Sequence, residues 1–204
     1  MGKMGCLIGA GLLVVAAILG MMAVGQYNGL VTNQQEVEKQ WAQVQNVYQR
    51  RADLIPNLVA TVKGAAKFEQ DTLTQVVEAR SRVGQISAQA TQEILNDPAK
   101  FQQFQQAQDG LSSALSRLLV VSEQYPELRA VPAFQDLMGQ LEGTENRITV
   151  ERKRFNDVAQ TYNTQIKKFP TSLFIRLLGW SFSPRSYFQG QPGSENAPKV
   201  DFGA

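Results

Sequence analysis

The sequence predicts an all-α protein with one N-terminal transmembrane helix, an antiparallel bundle of four long helices, and a short aromatic C-terminal helix or hook. Three observations support this fold class. An uncharged apolar run lies near the N-terminus, and apolar residues then recur every three or four positions without β-type alternation. Glutamine makes up about one residue in eight, which is typical of long solvated helices. We expect four regions: an anchor (1–26), the bundle (27–170), the hook (171–188) and a disordered tail (189–204).

The composition argues against several functional classes. The 204 residues contain no histidine and one cysteine, which disfavours most zinc sites, histidine-dependent nucleophiles and any disulfide within the chain. Twenty Lys and Arg residues face 18 Asp and Glu residues, a balance unlike that of nucleic-acid-binding domains. We therefore expect no enzymatic activity, no metal, no cofactor, no nucleic acid and no small-molecule substrate.

The anchor is predicted from residues 7–24, which are all Leu, Ile, Val, Ala, Met or Gly. About 20 such residues in a helix span the hydrocarbon core of a bilayer. Lys3 and the small residues Ala23 and Gly25 also fit a cleaved signal peptide, but the run exceeds the roughly 7–15 apolar residues usual there. We expect a retained, single-pass anchor in contact with membrane lipid.

Two further features of the anchor bear on assembly and orientation. Lys3 precedes the helix, whereas Glu36, Glu38 and Lys39 follow it, so the positive-inside rule favours a cytoplasmic N-terminus with the body outside. Small residues on one face permit close packing between helices and predict a homo-oligomer. These residues are Gly5, Gly9, Ala16, Gly20 and Ala23.

The first bundle helix is predicted over 28–63. Pro56 falls inside its pattern without shifting the phase, which indicates a kink rather than an end. A turn is expected just after Gly64, although one unbroken rod to Ile94 is the alternative. The predicted buried stripe is Leu30, Val37, Trp41, Val44, Tyr48, Ile55, Leu58 and Val62.

The remaining bundle helices are predicted over 68–95, 98–124 and 132–168. Asp97 is expected to cap the third helix, with Pro98 at its first position. Two rods of about 54 Å and two of about 40 Å then close into an up-and-down bundle. The third stripe is Phe101, Phe104, Gln108, Leu111, Leu115, Leu118 and Ser122.

Five charged residues lie on or beside these apolar stripes. Either their side chains extend to solvent at the edges, or they form a buried ionic layer that sets the register between helices. The five are Arg51, Glu69, Arg80, Glu145 and Arg152.

The C-terminal residues 171–188 are rich in aromatic side chains. Either they pack back over the open end of the bundle, or they carry Trp180 and Phe182 into lipid headgroups or a partner. The candidate interface residues are Phe174, Trp180, Phe182 and Phe188.

Several motifs can be identified along residues 5–188. They are Tyr27-Asn28-x-Leu30-Val31, Trp41, Arg51-x-Asp53-Leu54-Ile55-Pro56-Asn57-Leu58, Glu69, Ala79-Arg80, Leu141-Glu142-Gly143-Thr144-Glu145-Asn146-Arg147-Ile148, Arg152-x-x-Phe155-Asn156, Tyr162-Asn163 and Phe169-Pro170. Together they resemble the motifs of LemA-family membrane proteins. The resemblance implies a bacterial membrane protein with one N-terminal span and an antiparallel helical domain, and it implies no established catalytic role. We also expect polar contacts between the first and fourth helices, made by Asn28, Asn57, Asn156 and Asn163.

These features predict a non-enzymatic scaffold or assembly protein in the bacterial cytoplasmic membrane. Its expected partners are copies of itself and another membrane protein. The alternative is a sensor or adaptor that passes a signal to a partner, with Pro56 as its hinge.

Overall fold

A computed structural model describes residues 2–64, 69–87, 89 and 91–190, with side chains from Leu7 onward. Every regular element in these ranges is a helix, which confirms the all-α prediction. The elements are α1 (Gly2–Gly64), α2 (Gln70–Ser87), α3 (Thr91–Asn96), α4 (Pro98–Ser122), α5 (Pro126–Arg129), α6 (Pro132–Lys167) and α7 (Thr171–Leu178).

Helix α1 runs without interruption for 63 residues, about 95 Å. Pro56 lies inside it and is exposed to solvent, so it does not end the helix. The alternative of one rod to Ile94 is wrong, because α1 ends at Gly64 and α2 begins at Gln70. The turn predicted at residues 65–68 lies outside the described residues.

The N-terminal part of α1 stands apart from the rest of the molecule. Its apolar window has a mean hydropathy of 2.6, and none of that window is buried. Within the described residues, α1 is the one helix long and apolar enough to cross a membrane. Length and composition therefore support the predicted membrane association.

Beyond the apolar run, α1 packs lengthwise against α6, while α2 packs along α4. Gln40 Nε2 donates to Glu151 Oε2 at 2.6 Å, and Asn33 donates to Gln165 further along the same pair. Residue numbers rise on α1 as they fall on α6, so these helices are antiparallel. The stripes predicted on α1 and α4 are buried at every named position.

The start of α4 agrees with the prediction made from the sequence. The Asp97 carboxylate accepts bonds from the backbone N–H groups of Ala99 (2.8 Å) and Lys100 (3.4 Å), and Pro98 occupies the first turn. A side-chain cap of this kind contributes about 1 kcal/mol to helix stability.

Two boundaries differ from the prediction. The helix expected over 68–95 is divided into α2 and α3. Apolar spacing could not reveal this division, because Val83 and Ile94 keep the same helical phase and no Gly or Pro lies between Gly84 and Ile94. The short helix α5 was not predicted; it buries Leu128 between α4 and α6.

Among the described residues, the core consists of two apolar clusters arranged along the body. We call the one nearer the apolar N-terminal run the proximal cluster and the other the distal cluster. The proximal cluster is built around Trp41, Phe101, Phe104, Phe155 and Phe188. The distal cluster is built around Ile55, Leu58, Leu111, Leu118 and Leu141.

Candidate functional site: a buried polar layer and the C-terminal segment

A polar layer separates the two clusters, and Arg51 on α1 lies at its centre. Arg51 is fully buried, and its Nη1 donates to Glu145 Oε1 and to Ser112 Oγ, each at 2.6 Å. Its Nη2 donates to the backbone carbonyl (3.1 Å) and side-chain oxygen of Gln108. The Glu145 side chain is 38% exposed, so the ion pair reaches from the core to the surface. This layer joins α1, α4 and α6 at one level.

Arg152 on α6 extends the layer towards the proximal cluster. Its Nη2 pairs with Asp109 Oδ1 at 2.7 Å, and its Nε donates to the Tyr48 hydroxyl. Burial raises the pKa of Tyr48 to about 12, although the neighbouring Arg152 and Arg51 cations oppose the shift. Burial alone would lower the pKa of Arg152, but Tyr48 and Asp109 outweigh it and raise that pKa.

The structure therefore separates the five predicted charges into two groups. Arg51, Glu145 and Arg152 belong to the layer. Glu69 is exposed, with Thr72 Oγ1 at 3.5 Å from its carboxylate. Arg80 is also exposed and donates from Nε to the Ala52 carbonyl at 3.0 Å. The layer hypothesis was thus wrong for Glu69 and Arg80, and the register role of the other three stays a prediction.

The Tyr48 environment predicts a loss of stability at high pH. The unfolded chain ionises Tyr48 near its ordinary value of 10.0, whereas the folded chain holds the proton to about 12. The contribution of Tyr48 to the free energy of unfolding is complete below pH 10 and falls by about 2–3 kcal/mol as the pH rises to 12. The measurement is urea unfolding of wild type and Tyr48→Phe across this range. We expect the wild type to lose more stability than the variant; parallel losses would contradict the assignment.

The C-terminal segment, residues 180–190, is held to α6 by two asparagine side chains. Asn163 Nδ2 donates to the Arg185 carbonyl at 2.8 Å, and its Oδ1 accepts from the Arg185 N–H at 2.7 Å. Asn156 makes the same pair of bonds with Phe188, each at 2.9 Å. Asn156 and Asn163 lie two turns apart on α6, a rise of about 10 Å. Arg185 and Phe188 lie three residues apart in an extended segment, which also spans about 10 Å. The spacing of the two asparagines therefore matches the spacing of the two residues that they bind.

The side chains of this segment complete the proximal cluster. Phe188 is buried, with ring centroids 4.9 Å from Phe101, 5.5 Å from Phe155 and 6.1 Å from Trp41. Arg185 is also buried: it donates to Leu95 and Asn96 of α3 and lies over the Tyr162 ring at 5.5 Å. The segment therefore bridges α1, α3, α4 and α6.

These contacts correct the prediction for the four asparagines. The side-chain hydrogen bonds of Asn156 and Asn163 go to the C-terminal segment, not to α1. Asn28 and Asn57 are exposed on α1, where their backbone carbonyls accept from Thr32 and Thr61. Two features of the sequence are consistent with this arrangement: Arg185 stands among aromatic residues, and Asn156 and Asn163 lie seven residues apart on one face of α6.

The remaining aromatic candidates lie where the apolar run of α1 meets the body. Tyr27 contacts Trp180 and Phe182 edge-on, with centroids at 5.1 and 5.6 Å. Phe174 is buried beside Trp180. Trp180 and Phe182 are half-buried, so much of their surface is already covered by protein.

The other predicted positions take no part in either site. Asp53 is exposed and accepts from Gln49 Nε2 at 2.7 Å. Gly9 and Gly20 have open space at their Cα positions, and Ala16 is exposed while Ala23 is half-buried. The surroundings of Gly5 lie outside the described residues. Among those described, no three His, Cys, Asp or Glu side chains come together as metal ligands.

These observations define the class of protein: over the residues that the structure describes, every regular element is a helix, and one N-terminal apolar helix is long enough to span a bilayer and continues into a helical body. The model of the LemA family matches residues 40–202, and the chain belongs to that family. This confirms the resemblance drawn from the motifs.

Several named relatives are similar to most of the chain. Magnetosome proteins MamQ 1 and MamQ 2 of Paramagnetospirillum magneticum are each 29% identical over 90% of this chain and 74% of their own length. Magnetosome protein MamQ of Magnetospirillum gryphiswaldense is 27% identical over 83% of this chain and 67% of its own. Protein LemA of Metamycoplasma hominis is 23% identical over 76% of this chain and 66% of its own length.

Proposed function

We propose that this chain is a membrane-anchored, non-enzymatic helical scaffold of the LemA type that associates with copies of itself. One observation carries the proposal: α1 continues without interruption from an exposed apolar run into a packed helical body. The non-enzymatic part rests on the absence of histidine and the single cysteine in the sequence.

The proposal includes a specific architecture. Helices α1, α2, α4 and α6 form a four-helix bundle, and α7 with residues 180–188 forms the C-terminal hook. The anchor crosses a bacterial cytoplasmic membrane once, with its N-terminus inside and the body outside. Lys3 before the apolar run supports that orientation, because residues 25–45 after the run contain a single basic residue, Lys39.

Self-association is proposed to occur through the small-residue face of the anchor. Gly9 and Gly20 have no heavy atom within 4 Å of where a Cβ would stand, so a second helix has access to this face. Confinement in one membrane raises the effective concentration of the chains, which lets weak contacts between them add up.

The test compares the mass of full-length protein in detergent with that of a fragment containing residues 27–204. We expect a uniform assembly for the full-length protein and a monomer for the fragment, because the proposed contact lies within the anchor. Two monomers would contradict self-association.

A substitution pair sharpens this test. Gly9→Ile together with Gly20→Ile places two branched side chains on the proposed face and is expected to lower the assembly mass. Gly11→Ile is the matched control: Gly11 also has open space around it but lies about 200° away from Gly9 around the helix. Equal effects of the two changes would argue against a specific face.

An adaptor that binds another membrane protein is the second candidate. The observation in its favour is a groove of about 750 Å³ at the distal end, between α4 and α6, with Leu115, Leu119, Phe134 and Met138 in its lining. Crosslinking in native membranes tests this role: a monomeric protein crosslinked to one recurring partner favours the adaptor. The names of three relatives tie them to the magnetosome, so its proteins are the first partners to test in organisms that make one.

A further inference from the structure

We infer that helix α7 and Phe169, two residues before its start, make a second contact with the bilayer, lying in the headgroup region of the membrane that holds α1. We call the surface concerned the α7 face; it consists of Phe169, Leu173 and Leu177. The inference rests on the proposed membrane anchoring of α1. It assigns an additional lipid-binding surface to the body.

The α7 face is exposed and apolar. Phe169 is 80% exposed and Leu177 is 73% exposed, the two highest values among the large apolar side chains described from Tyr27 to Gly190. Leu173 and Leu177 are four residues apart and share one side of α7, whereas Thr171 and Phe174 on the other side are buried. An exposed apolar helix face with basic side chains beside it is the kind of surface that binds at a membrane interface.

The position of α7 along α1 places this face at the edge of the bilayer. Thr171 Oγ1 donates to Gln26 Oε1 at 2.6 Å, and the apolar run ends at Val24 and Gly25. Two residues of helix rise about 3 Å, so α7 begins where the hydrocarbon core would end. Tyr27 and Trp180 pack together at the same level, as aromatic residues commonly do at membrane interfaces.

The charge around α7 complements anionic lipid headgroups. Residues 158–190 contain four basic residues and no Asp or Glu. Three of the four, Lys167, Lys168 and Arg176, are exposed beside the α7 face, while Arg185 is buried in the proximal cluster. Basic side chains next to an apolar helix face strengthen binding to anionic membranes. A bilayer that contains phosphatidylglycerol is therefore the partner that fits this surface.

The test uses full-length protein in nanodiscs made of phosphatidylcholine with added phosphatidylglycerol. Cys6→Ser removes the native thiol, and Leu177→Cys then carries a nitroxide label whose collisions with oxygen and with a water-soluble nickel chelate are measured. We expect the ratio of oxygen collisions to nickel collisions to be several-fold higher for the label at 177 than for a label placed by Val120→Cys. Val120 is the matched control, since it is apolar and 63% exposed but lies at the distal end.

A third label, placed by Leu13→Cys within the apolar run, separates two kinds of failure. Lipid exposure at 13 with water exposure at 177 would overturn the inference and leave the anchor intact. Water exposure at 13 would contradict the membrane anchoring itself. Protection at 177 from both oxygen and nickel would show that protein covers the α7 face, which also overturns the inference. Identical results without phosphatidylglycerol would contradict the role of the basic residues.

Discussion

Replacing Glu145 with alanine is expected to lower the free energy of unfolding by about 3 kcal/mol. The change leaves the fully buried Arg51 cation without its carboxylate, while Ser112 and Gln108 remain as neutral partners. The effect should lie at the lower end of the range for broken buried ion pairs, because Glu145 is partly exposed and water can replace it. Urea unfolding of the 27–204 fragment, followed by circular dichroism, measures the loss.

Two controls show whether the loss comes from the layer. Glu145→Gln keeps a hydrogen-bond acceptor for Arg51 and should lower the free energy of unfolding less than Glu145→Ala does. Glu142→Ala removes an exposed carboxylate from the same helix, one turn away, and should change stability by no more than about 0.5 kcal/mol. If Glu145→Ala and Glu142→Ala cost the same, the layer contributes nothing specific.

Replacing Phe188 with alanine is expected to lower the free energy of unfolding by about 3–5 kcal/mol, the range for truncating a buried aromatic residue. The ring fills the space between Trp41, Phe101 and Phe155, and the Arg152 guanidinium lies 5.1 Å from its centroid. Its removal leaves a cavity in the proximal cluster and frees the C-terminal segment to leave α6. Urea unfolding gives the cost, and faster hydrogen exchange at the Arg185 amide would report the detachment.

Phe169→Ala is the matched control for this prediction, since it is the same substitution at a side chain that is 80% exposed. In the 27–204 fragment it should change the free energy of unfolding by no more than about 0.5 kcal/mol. A loss at Phe188 no larger than that at Phe169 would mean that the segment is not part of the core.

The helices of the body could be predicted because their signals are local. The α4 stripe from Phe101 to Ser122 recurs at three- and four-residue spacing, and all its members are buried. Asp97 followed by Pro98 marks a helix start through bonds made within three residues. Such features depend on helical geometry alone and need no knowledge of the distant chain.

The polar layer and the C-terminal segment depend on distant contacts, and the prediction was weaker there. Arg51 and Arg80 both lie beside apolar stripes, yet only Arg51 meets Glu145 and Gln108 across the core. Asn163 pairs with Arg185, 22 residues later, through an extended segment that has no periodic pattern. Which polar side chains meet is decided by the packing of α4 and α6, which residue spacing does not encode.

The unbroken course of α1 has a mechanical consequence. From Leu7 to Ile55 the helix contains no proline, and from Leu30 onward its apolar stripe is fixed against its neighbours in the body. A helix of this kind resists twisting, because each turn is tied to the next by backbone hydrogen bonds. Rotation of the apolar run about its own axis would therefore rotate the entire body by the same angle.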